Sequence, residues 1–295
     1  MRLQDKVVAI TGSGSGLGRE CALLFADNGA TIVTNDVVPG RAQKVAKEVE
    51  AAGGRAVAVD ADVRVEADME ALVHTAVETF GRLDIMYANA GIPEPGFGSS
   101  VLHDLTLDDW NNIVAVNMTG IFLAFKYAAR HMVERGAGGT LLATTSASAF
   151  VAYPGFPAYA ASKAGANGFI RAASMEWGKH GIRVNALCPT HGMSVNFAMP
   201  PDADVLGKSY EEMQPWDPDQ RAMPLRLDRP PRLRDNANLA LFLASDESAY
   251  MHGQCIQSTD GGTFARVAIV FPGDLGNDTG SVLPEALQAE LQEDS

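Results

Sequence analysis

The stretch Thr11-Gly-Ser-Gly-Ser-Gly-Leu-Gly18 decides the fold expected for this chain of 295 residues. It joins a short apolar run, residues 7–11, to an amphipathic stretch, residues 18–28, so the glycines lie where a strand passes into a helix. Glycine has no side chain, which lets backbone N–H groups and the positive helix end approach an anion. A glycine loop alone is a weak signal, but in this position it predicts a site for the diphosphate of a dinucleotide.

Short apolar runs alternate with helical patterns on the C-terminal side of this stretch. We predict strands at 7–11, 31–35, 55–60, 85–88, 139–145, 182–188 and 255–258, and helices at 18–28, 41–52, 66–80, 110–133, 159–180 and 235–245. Such alternation is typical of βαβ units, whose right-handed crossovers place helices on both faces of a parallel sheet. We therefore expect an α/β fold with a doubly wound parallel sheet, a Rossmann fold, in a single domain over residues 1–264.

Two segments depart from the alternation. Residues 190–231 are rich in Pro, Met, Asp and Arg and have weak periodicity. This segment is either a disordered insert or a lid over a site, and we favour the lid because long irregular segments in compact domains are often functional. Residues 265–295 form a C-terminal extension that would dock on its own or a neighbouring subunit, or fray.

Composition excludes several classes of function. A formal net charge of −13, without a basic patch, argues against nucleic-acid binding. No apolar run approaches the length of about 20 residues that a membrane span needs. Three distant cysteines and six histidines without ligand spacing predict neither a metal site nor disulfides. We expect a cytoplasmic protein.

One acidic residue after the glycine loop bears on the choice of cofactor. Asp36 ends the second predicted strand, 18 residues past Gly18. A carboxylate there accepts hydrogen bonds from ribose hydroxyls and repels a 2′-phosphate. No Arg or Lys occupies position 15 or 37, where it would welcome that phosphate. The alternative is a plain turn residue before Pro39; we predict NAD rather than NADP.

An acid/base pair follows later in the chain. Tyr159 and Lys163 lie one helical turn apart and project from one face. A free tyrosine titrates near pH ~10, and a nearby ammonium lowers the pKa of its phenol. Ser146, 13 residues before Tyr159 and just after a strand, could donate a hydrogen bond to the same substrate oxygen. An exposed helical pair is the alternative, but the loop and Asp36 favour catalysis.

These residues resemble the motifs of the classical short-chain dehydrogenase/reductase family, over roughly residues 3–264. Tyr159-Ala-Ala-Ser-Lys163 is similar to the family's YxASK motif, and Ser146 stands where its catalytic serine does. The resemblance implies that Tyr159 exchanges a proton with the substrate oxygen while Ser146 steadies that oxygen. It also implies that Lys163 lowers the pKa of the tyrosine and binds the nicotinamide ribose, and that Asn117 holds a water behind the lysine.

Further motifs extend the resemblance to the cofactor. Asn89-Ala90-Gly91 is similar to the NAG motif beside the adenine ribose, and Asp62-Val63 to the pair that contacts the adenine. Asp260-Gly-Gly262 resembles the usual C-terminal landmark. The residues expected to contact the cofactor are Gly12, Ser15, Gly16, Leu17, Gly18, Asp36, Asp62, Val63, Asn89, Ala90, Gly91, Tyr159, Lys163, Pro189, Gly192 and Ser194.

Two positions depart from the family pattern. After the sixth strand the family usually has Pro-Gly-x-Ile/Val-x-Thr, lining the carboxamide side of the nicotinamide, whereas this chain has Pro189-Thr-His-Gly-Met-Ser194. Ser194 keeps the final hydroxyl, but Thr190 replaces the glycine, which puts the nicotinamide contact and the lid hinge in doubt. Ala88 replaces the first Asn of the commoner NNAG form, a change in sheet packing that we expect to be harmless.

The residues around the catalytic set indicate the substrate. Two phenylalanines and a tyrosine in one loop favour an apolar or aromatic substrate, although packing of the loop explains them equally well. Anionic substrates are disfavoured because this loop has no Arg or Lys, an exclusion weakened by Arg221, Arg226 and Arg229 in the lid. The candidate substrate contacts are Ser148, Phe150, Tyr153, Phe156 and His191.

The expected function is that of an NAD-dependent oxidoreductase that interconverts a secondary alcohol and its ketone. The alternatives are a non-redox enzyme (a lyase or isomerase) on the same scaffold and an NAD-binding regulator, which would lack the loop or one of the four catalytic residues; none is missing. Small residues at helical spacing, Ala161, Gly165, Gly168 and Ala172, would permit close approach of another helix. Because this helix commonly forms a dimer face in the family, we expect a homotetramer, or otherwise a homodimer.

Overall fold

The glycine-rich stretch lies between the first strand and the first helix, as predicted. This computed structural model describes residues 1–96, 101–151, 155–198, 207–220 and 223–261. Strand β1 spans Val7–Ile10 and helix α1 spans Gly16–Asp27. The remaining strands are β2 (Thr31–Asp36), β3 (Arg55–Asp60), β4 (Ile85–Ala88), β5 (Gly139–Thr144), β6 (Ile182–Pro189) and β7 (Cys255–Ser258).

Helices follow the strands in the predicted order. They are α2 (Arg41–Ala51), α3 (Glu66–Phe80), α4 (Leu107–Val114), α5 (Gly120–Arg135), α6 (Pro157–Trp177), α7 (Val195–Ala198) and α8 (Leu233–Ala244). The helix predicted at 110–133 is α4 and α5, joined through one π-helical turn, Ala115–Thr119. It begins earlier than predicted because the Thr106 side chain accepts the Asp109 N–H and caps the first turn. Helix α6 also begins earlier, with Pro157 in its first turn.

The sheet order places a crevice between two strands that are neighbours in space but not in sequence. All pairs are parallel, in the order β3-β2-β1-β4-β5-β6-β7. The chain winds outward from β1 to β3 and then returns to add β4 on the other side of β1. Ligands bind outside the carboxyl ends of the strands at such a switch point. The predicted doubly wound α/β fold is confirmed.

The core has one layer on each face of the sheet, because successive strand residues point to opposite faces. In β1, Val7 and Ala9 pack into the layer formed with α3, α5 and α6. Val8 and Ile10 pack into the layer formed with α1, α2 and α8. These two layers hold the ends of β1, β4 and β5 in register.

The helical stretch Leu107–Arg135 is, within the described chain, long and apolar enough to cross a membrane by length and composition alone. Its most apolar window has a mean hydropathy of 1.3, and 61% of that window is buried inside the fold. The stretch packs on α3 and α6 and on strands β4 and β5. Its hydropathy therefore reflects the apolar face that a core helix presents to a sheet.

The predicted lid, residues 190–231, is described at 190–198, 207–220 and 223–231. An isolated antiparallel bridge joins Ser194 to Ser209, and short 3₁₀ turns follow at Glu211–Met213 and Pro218–Gln220. The bridge holds the second described part of the segment against the loop that leaves β6. The predicted extension, residues 265–295, lies outside the described residues.

Candidate active site

A cavity of about 700 Å³ runs along the carboxyl ends of the strands. Asp36 lines its wall at the end of β2, Tyr159 lines it on α6, and lid residues close one side. Most of the predicted site residues line it: Gly12, Ser15, Gly16, Leu17, Asp36, Asp62, Val63, Asn89, Ala90, Gly91, Ser146, Ser148, Phe156, Tyr159, Lys163, Pro189, His191, Gly192 and Ser194. Gly18, Asn117 and Phe150 do not line it, and Tyr153 lies outside the described residues.

Close packing around the glycine loop accounts for its glycines. Gly12 and Gly16 have φ angles of +61° and +53°, which side-chain-bearing residues rarely adopt. A Cβ on Gly12 would stand 2.8 Å from the Ala90 Cα, and one on Gly18 would overlap the Gly12 carbonyl oxygen. Gly18 therefore allows the first turn of α1 to pack on the glycine loop and on Asn89, whereas Gly12 and Gly16 line the cavity wall.

The hydroxyl of Thr11 ties this loop to the segment after β4. Its Oγ1 accepts the N–H groups of Asn89 and Ala90 at 3.0 and 3.1 Å. In return the Asn89 amide nitrogen donates to the Thr11 carbonyl oxygen at 3.2 Å, and the Asn89 Oδ1 accepts the Thr144 hydroxyl at 3.0 Å. The Asn-Ala-Gly motif thus links β1, β4 and β5 across the switch point.

The carboxylate of Asp36 is 7% exposed at the rim of the cavity. Its oxygens accept the N–H groups of Val38 at 2.9 Å and Gly14 at 3.1 Å. Burial raises the pKa of Asp36, and the Val38 N–H, Arg41 and the Gly14 N–H oppose that rise. Each oxygen keeps capacity for a further hydrogen bond, such as one from a ribose hydroxyl. Arg41 lines the same cavity and is a basic neighbour outside positions 15 and 37, so the sequence did not predict it.

Asp62, predicted to contact the adenine, is paired with a neighbouring arginine. Its Oδ2 lies 2.6 Å from the Arg64 guanidinium, and hydrogen bonds from Arg64 hold the pKa of Asp62 below its usual range. Arg64 also donates to the Asn112 Oδ1 at 2.7 Å. A contact from Asp62 to the adenine must therefore compete with this ion pair, while Val63 lines the cavity as expected.

Tyr159, Ser146 and Lys163 meet in the cavity wall at the ends of β5 and α6. The Lys163 Nζ lies 5.6 Å from the centroid of the Tyr159 ring and donates to the Thr144 carbonyl oxygen at 3.0 Å. Burial lowers the pKa of Lys163 to about 8. Burial also raises the pKa of Tyr159 to about 12, against a hydrogen bond from Ser146 that lowers it.

That Lys163 lowers the pKa of Tyr159 stays a prediction, because burial and the hydrogen bond with Ser146 are the main influences on the phenol in this structure. The pKa is raised because removing the phenolate from water costs more than the Ser146 hydrogen bond returns. The Lys163 ammonium is itself buried and directed at a backbone carbonyl. Tyr159 is consequently a protonated acid near neutral pH.

Asn117 lies in the π-helical turn, behind the lysine. It is fully buried, and its side chain pairs with both backbone groups of Ile92: Nδ2 donates to the carbonyl oxygen at 2.9 Å and Oδ1 accepts the N–H at 2.8 Å. A Cβ on Gly91 would stand 3.3 Å from both the Asn117 Oδ1 and the Lys163 Nζ. Asn117 thus holds the segment after Gly91 against the lysine; π turns occur often at functional sites.

Glu94 is a site residue that sequence reasoning missed. Its side chain is buried, 2% exposed, and caps the first turn of α6 from another part of the chain. Oε1 accepts the Ala158 N–H at 2.7 Å and Oε2 accepts the Tyr159 N–H at 2.9 Å. A carboxylate at a helix N-terminus satisfies N–H groups that have no partner within the helix. In the sequence, Glu94 is marked only by the prolines on either side of it, a pattern that is also typical of an ordinary surface loop.

In the loop after β6, the backbone conformation that favours glycine falls at Gly192. Gly192 has φ +68°, and a Cβ there would stand 2.8 Å from the Arg232 carbonyl oxygen. Buried Asn236 of α8 donates to the His191 carbonyl oxygen at 2.8 Å. Thr190 is not among the residues with positive φ, so in this chain the glycine requirement falls at position 192.

Among the predicted substrate residues, Phe156 and Ser148 line the cavity, whereas Phe150 does not. The Phe156 ring packs edge-on against the Tyr159 ring at 6.3 Å, and Phe197, which sequence reasoning missed, does so at 5.6 Å. Ser148 is buried, and its hydroxyl has no partner among the described residues. Phe150, by contrast, is 46% exposed and away from the cavity.

The residues of this cavity fit a dinucleotide. Gly12, Ser15 and Gly16 of the glycine loop line it, and so does Asp36 at the end of β2. The hydroxyls of Thr190 and Ser194 are buried in its wall without a partner in the described ranges, as expected of groups that bind a ligand. In those ranges no group of three or more His, Cys, Asp or Glu side chains is arranged to hold a metal ion.

A doubly wound sheet with a glycine loop at its switch point and a Ser–Tyr–Lys set beside it defines an oxidoreductase of the dinucleotide-binding class. Residues 6–199 match the family model for short chain dehydrogenase, and the chain belongs to this family. Short-chain dehydrogenase reductase 3c of Arabidopsis thaliana is 39% identical over 262 residues, covering 89% of this chain and 95% of that protein. An uncharacterized oxidoreductase of Thermotoga maritima is 34% identical over 269 residues, covering 90% and 100%.

Solved structures agree with the family assignment. A short-chain type dehydrogenase/reductase from Mycobacterium marinum aligns with a TM-score of 0.76 and 31% identity, covering 90% of this chain and 97% of that one. A 7α-hydroxysteroid dehydrogenase complexed with NADH and 7-oxo glycochenodeoxycholic acid aligns with a TM-score of 0.75 and 30% identity, covering 88% and 95%.

Proposed function

We propose that this oxidoreductase uses NAD to interconvert a secondary alcohol and its ketone, with Tyr159 as the acid/base. The observation that carries the proposal is the convergence of Tyr159, Ser146 and Lys163 on one wall of a cavity that Asp36 also lines. Carbonyl reduction needs three things from the protein: a group that exchanges a proton, a group that donates a hydrogen bond, and a positive charge.

Proton transfer at the Tyr159 hydroxyl follows from its surroundings. With a pKa of about 12, the phenol holds its proton near neutrality and can donate it to a carbonyl oxygen. Ser146 donates a hydrogen bond to that oxygen, and Lys163, with a pKa of about 8, is charged at pH 7 and stabilises the phenolate that remains. Nicotinamide, when bound, supplies or accepts the hydride. In the oxidative direction Tyr159 must first lose its proton.

The carboxylate of Asp36 supports NAD over NADP. It is nearly buried and held by two backbone N–H groups, so it cannot turn away from a second anion at the same place. Two negative charges in a poorly solvated site repel strongly. Arg41 opposes this preference, because a guanidinium at the same rim can pair with a 2′-phosphate.

An apolar or aromatic substrate is supported by the rings around Tyr159. Phe156 and Phe197 flank it edge-on, and Met193 lines the same cavity. The buried hydroxyl of Ser148 offers one hydrogen bond to a polar group on such a substrate. The 7α-hydroxysteroid dehydrogenase in the comparison is complexed with 7-oxo glycochenodeoxycholic acid, and a hydroxysteroid is one member of the class proposed here.

Tyr159→Phe tests the mechanism. The variant should lose at least about a hundredfold in kcat for a ketone substrate, the scale of one acid/base group, while its Kd for NADH stays unchanged. A substrate is first identified by following the loss of NADH fluorescence with a panel of aryl ketones, cyclic ketones and oxosteroids. The Kd for NADH is measured by fluorescence titration. A variant that keeps its kcat would exclude Tyr159 as the acid.

Asp36→Ala and Arg41→Ala together test the cofactor. The wild-type protein should show a higher kcat/KM with NAD than with NADP. The ratio of these two kcat/KM values should be smaller in Asp36→Ala and larger in Arg41→Ala than in the wild-type protein. Steady-state rates with both cofactors at equal concentrations decide this. A wild-type preference for NADP would refute the role given to Asp36.

We also propose a homotetramer in the cytoplasm. The small residues predicted to permit close approach lie on α6, where Ala161 and Ala172 are exposed and a Cβ on Gly168 would meet nothing within 4 Å. Phe122 and Met175 are exposed large hydrophobic residues on α5 and α6. Light scattering after size exclusion measures the mass directly, and Gly168→Trp should lower it.

A further inference from the structure

Thr190 stands where the resemblance led us to expect a glycine, and it adds a hydroxyl to the cavity that the proposed function does not use. The residue follows β6 directly and lines the cavity. Its Oγ1 is buried and has no hydrogen-bond partner among the described residues. Because buried polar groups in native proteins are nearly always hydrogen-bonded, an exception in a cavity wall indicates a group that bonds to a ligand.

A second buried hydroxyl of this kind lies on the neighbouring loop. Ser148 follows β5, is 7% exposed and lines the cavity. Its Oγ has no partner in the part of the chain that the structure describes. The Ser148 N–H donates to the Ser146 Oγ at 3.1 Å, so Ser148 lies close to the hydroxyl that is proposed to bond to the reacting oxygen.

Contacts between the ends of β5 and β6 bring the two loops together. The Thr145 N–H donates to the Leu187 carbonyl oxygen at 2.9 Å, and the Thr145 Oγ1 lies 3.0 Å from the Cys188 Sγ. Both loops leave neighbouring parallel strands at the same edge of the sheet. Ser148 and Thr190 therefore line neighbouring parts of the cavity.

Thr190 lies at the end of the cavity that is farther from the glycine loop. Its N–H donates to the Ser258 carbonyl oxygen at 3.2 Å, which fixes it beside the end of β7. The glycine loop and Asp36 follow β1 and β2, and β4 and β5 lie in between. A dinucleotide bound at the β1 and β2 end extends towards Tyr159, so groups on the β6 and β7 side of Tyr159 face the substrate.

We propose that Thr190 and Ser148 bind a second oxygen of the substrate, on the carbon next to the one that exchanges the hydride. This inference rests on the proposed function and names its substrate class as a vicinal diol, oxidised to an α-hydroxy ketone. Adjacent carbons fit because Ser148 is bonded to Ser146, which keeps the second oxygen close to the reacting one. A substrate hydroxyl both donates and accepts, and it can therefore bond to both side chains.

The chemistry at the reacting carbon is unchanged by the second oxygen. The C–H bond of the carbinol breaks and its hydrogen and electron pair go to NAD as a hydride, while the O–H proton goes to the Tyr159 phenolate oxygen. A carbonyl forms at that carbon. The neighbouring hydroxyl keeps its C–O and O–H bonds and serves only to hold the substrate.

The test compares matched alcohols that differ by one hydroxyl. Cyclohexanol is paired with the vicinal diol of cyclohexane, and the benzylic alcohol of indane with the vicinal diol of indane. Steady-state rates with NAD give the ratio of kcat/KM for the diol to kcat/KM for the mono-alcohol. Thr190→Val and Ser148→Ala each remove one hydroxyl, and Thr190→Ser keeps it. The control is Thr75→Val on α3, whose hydroxyl donates to the Ala71 carbonyl oxygen at 2.9 Å outside the cavity.

The wild-type protein should favour the diol by at least about tenfold, since a site built to bond a hydroxyl discriminates against the analogue that lacks it. The ratio should fall about fivefold in Thr190→Val and in Ser148→Ala, the scale of one hydrogen bond. It should stay unchanged in Thr190→Ser and in Thr75→Val. The Kd for NADH, measured by fluorescence titration, should be the same in all four variants as in the wild-type protein.

A wild-type ratio near one, or a ratio that Thr190→Val leaves unchanged, overturns this inference and leaves the proposed function standing. A higher Kd for NADH in Thr190→Val with an unchanged ratio also overturns it, because the hydroxyl then binds the cofactor. If the wild-type protein binds NADH but turns over neither alcohol of either pair, nor any ketone of the panel used for Tyr159→Phe, the proposed function fails as well.

Discussion

Replacement of Glu94 by Gln tests whether the cap on α6 positions Tyr159, the proposed acid/base. The wild-type carboxylate is 2% exposed and accepts the N–H groups of Ala158 at 2.7 Å and Tyr159 at 2.9 Å. A glutamine offers only one oxygen, so one N–H loses its acceptor and faces an amide N–H₂ group. A hydrogen bond to a charged group contributes about 1.5–3 kcal/mol, and the variant should lose about that much stability.

The unfolding midpoint and kcat of the Glu94→Gln variant test this prediction. In a domain of this size a loss of about 2 kcal/mol lowers the unfolding midpoint by about 4–8 °C, which calorimetry resolves. Because the Tyr159 backbone loses its anchor, kcat should fall about tenfold or more at a temperature where the variant is folded, as expected for a small misplacement of a reacting group. The Kd for NADH should stay within about twofold.

The control is Glu78→Gln, an exposed carboxylate of α3 whose partner His74 is exposed as well. This variant should leave both the midpoint and kcat unchanged, since exposed ion pairs contribute little. If Glu94→Gln melts at the wild-type midpoint and turns over at the wild-type rate, Glu94 neither stabilises α6 nor positions Tyr159. A lower midpoint with an unchanged kcat would restrict the cap to stability alone.

Three further outcomes follow from the site. Lys163→Met should lose turnover but unfold at a higher temperature than the wild-type protein at pH 7. The lowering of the Lys163 pKa from 10.5 to about 8 corresponds to a cost of about 3 kcal/mol for burying its charge. The variant removes that cost and loses about 1 kcal/mol for the hydrogen bond to the Thr144 carbonyl. This advantage should shrink between pH 8 and 10.5, where the folded wild-type protein sheds the proton before the unfolded chain does; melting curves across that range check the sign. Alcohol oxidation should speed up from about pH 6 to 10 as Tyr159 becomes easier to deprotonate, and a rate that falls over that range would contradict its high pKa. Gly12→Ala should raise the NADH Kd at least about tenfold in a fluorescence titration, whereas Gly168→Ala, with open space at its Cβ, should not.

Much of this architecture was predictable, because the signals are local. Strand and helix periods repeat over a few residues, and the glycine loop is legible from the strand and helix that flank it. Tyr159 and Lys163 needed only the rise of one helical turn to be placed on the same face. The helix predicted from residue 110 begins three residues earlier, at Leu107 of α4, because its cap, Thr106, lies outside the apolar pattern.

The residues that were missed act across long stretches of sequence. Glu94 caps a helix that begins more than sixty residues later, and Asn236 of α8 holds the loop after β6. Neither lies in a motif, and their chemistry, an acid in a proline-rich loop and an amide on a helix, is common on protein surfaces. Arg41 was not predicted because it lies five residues past Asp36, outside positions 15 and 37, and reaches the cavity only through the fold.

Sequence alone predicted the succession of strands and helices along the chain, the dinucleotide loop and the residue proposed as the proton donor, since each depends on patterns within a few residues along the chain. Only the tertiary structure decided the charge state of the site. Burial raises the pKa of Tyr159 against the Ser146 hydrogen bond that lowers it, and burial depends on packing between distant parts of the chain. The same packing brings Glu211 of the lid into the cavity wall, because its position depends on a backbone bridge that no local pattern encodes.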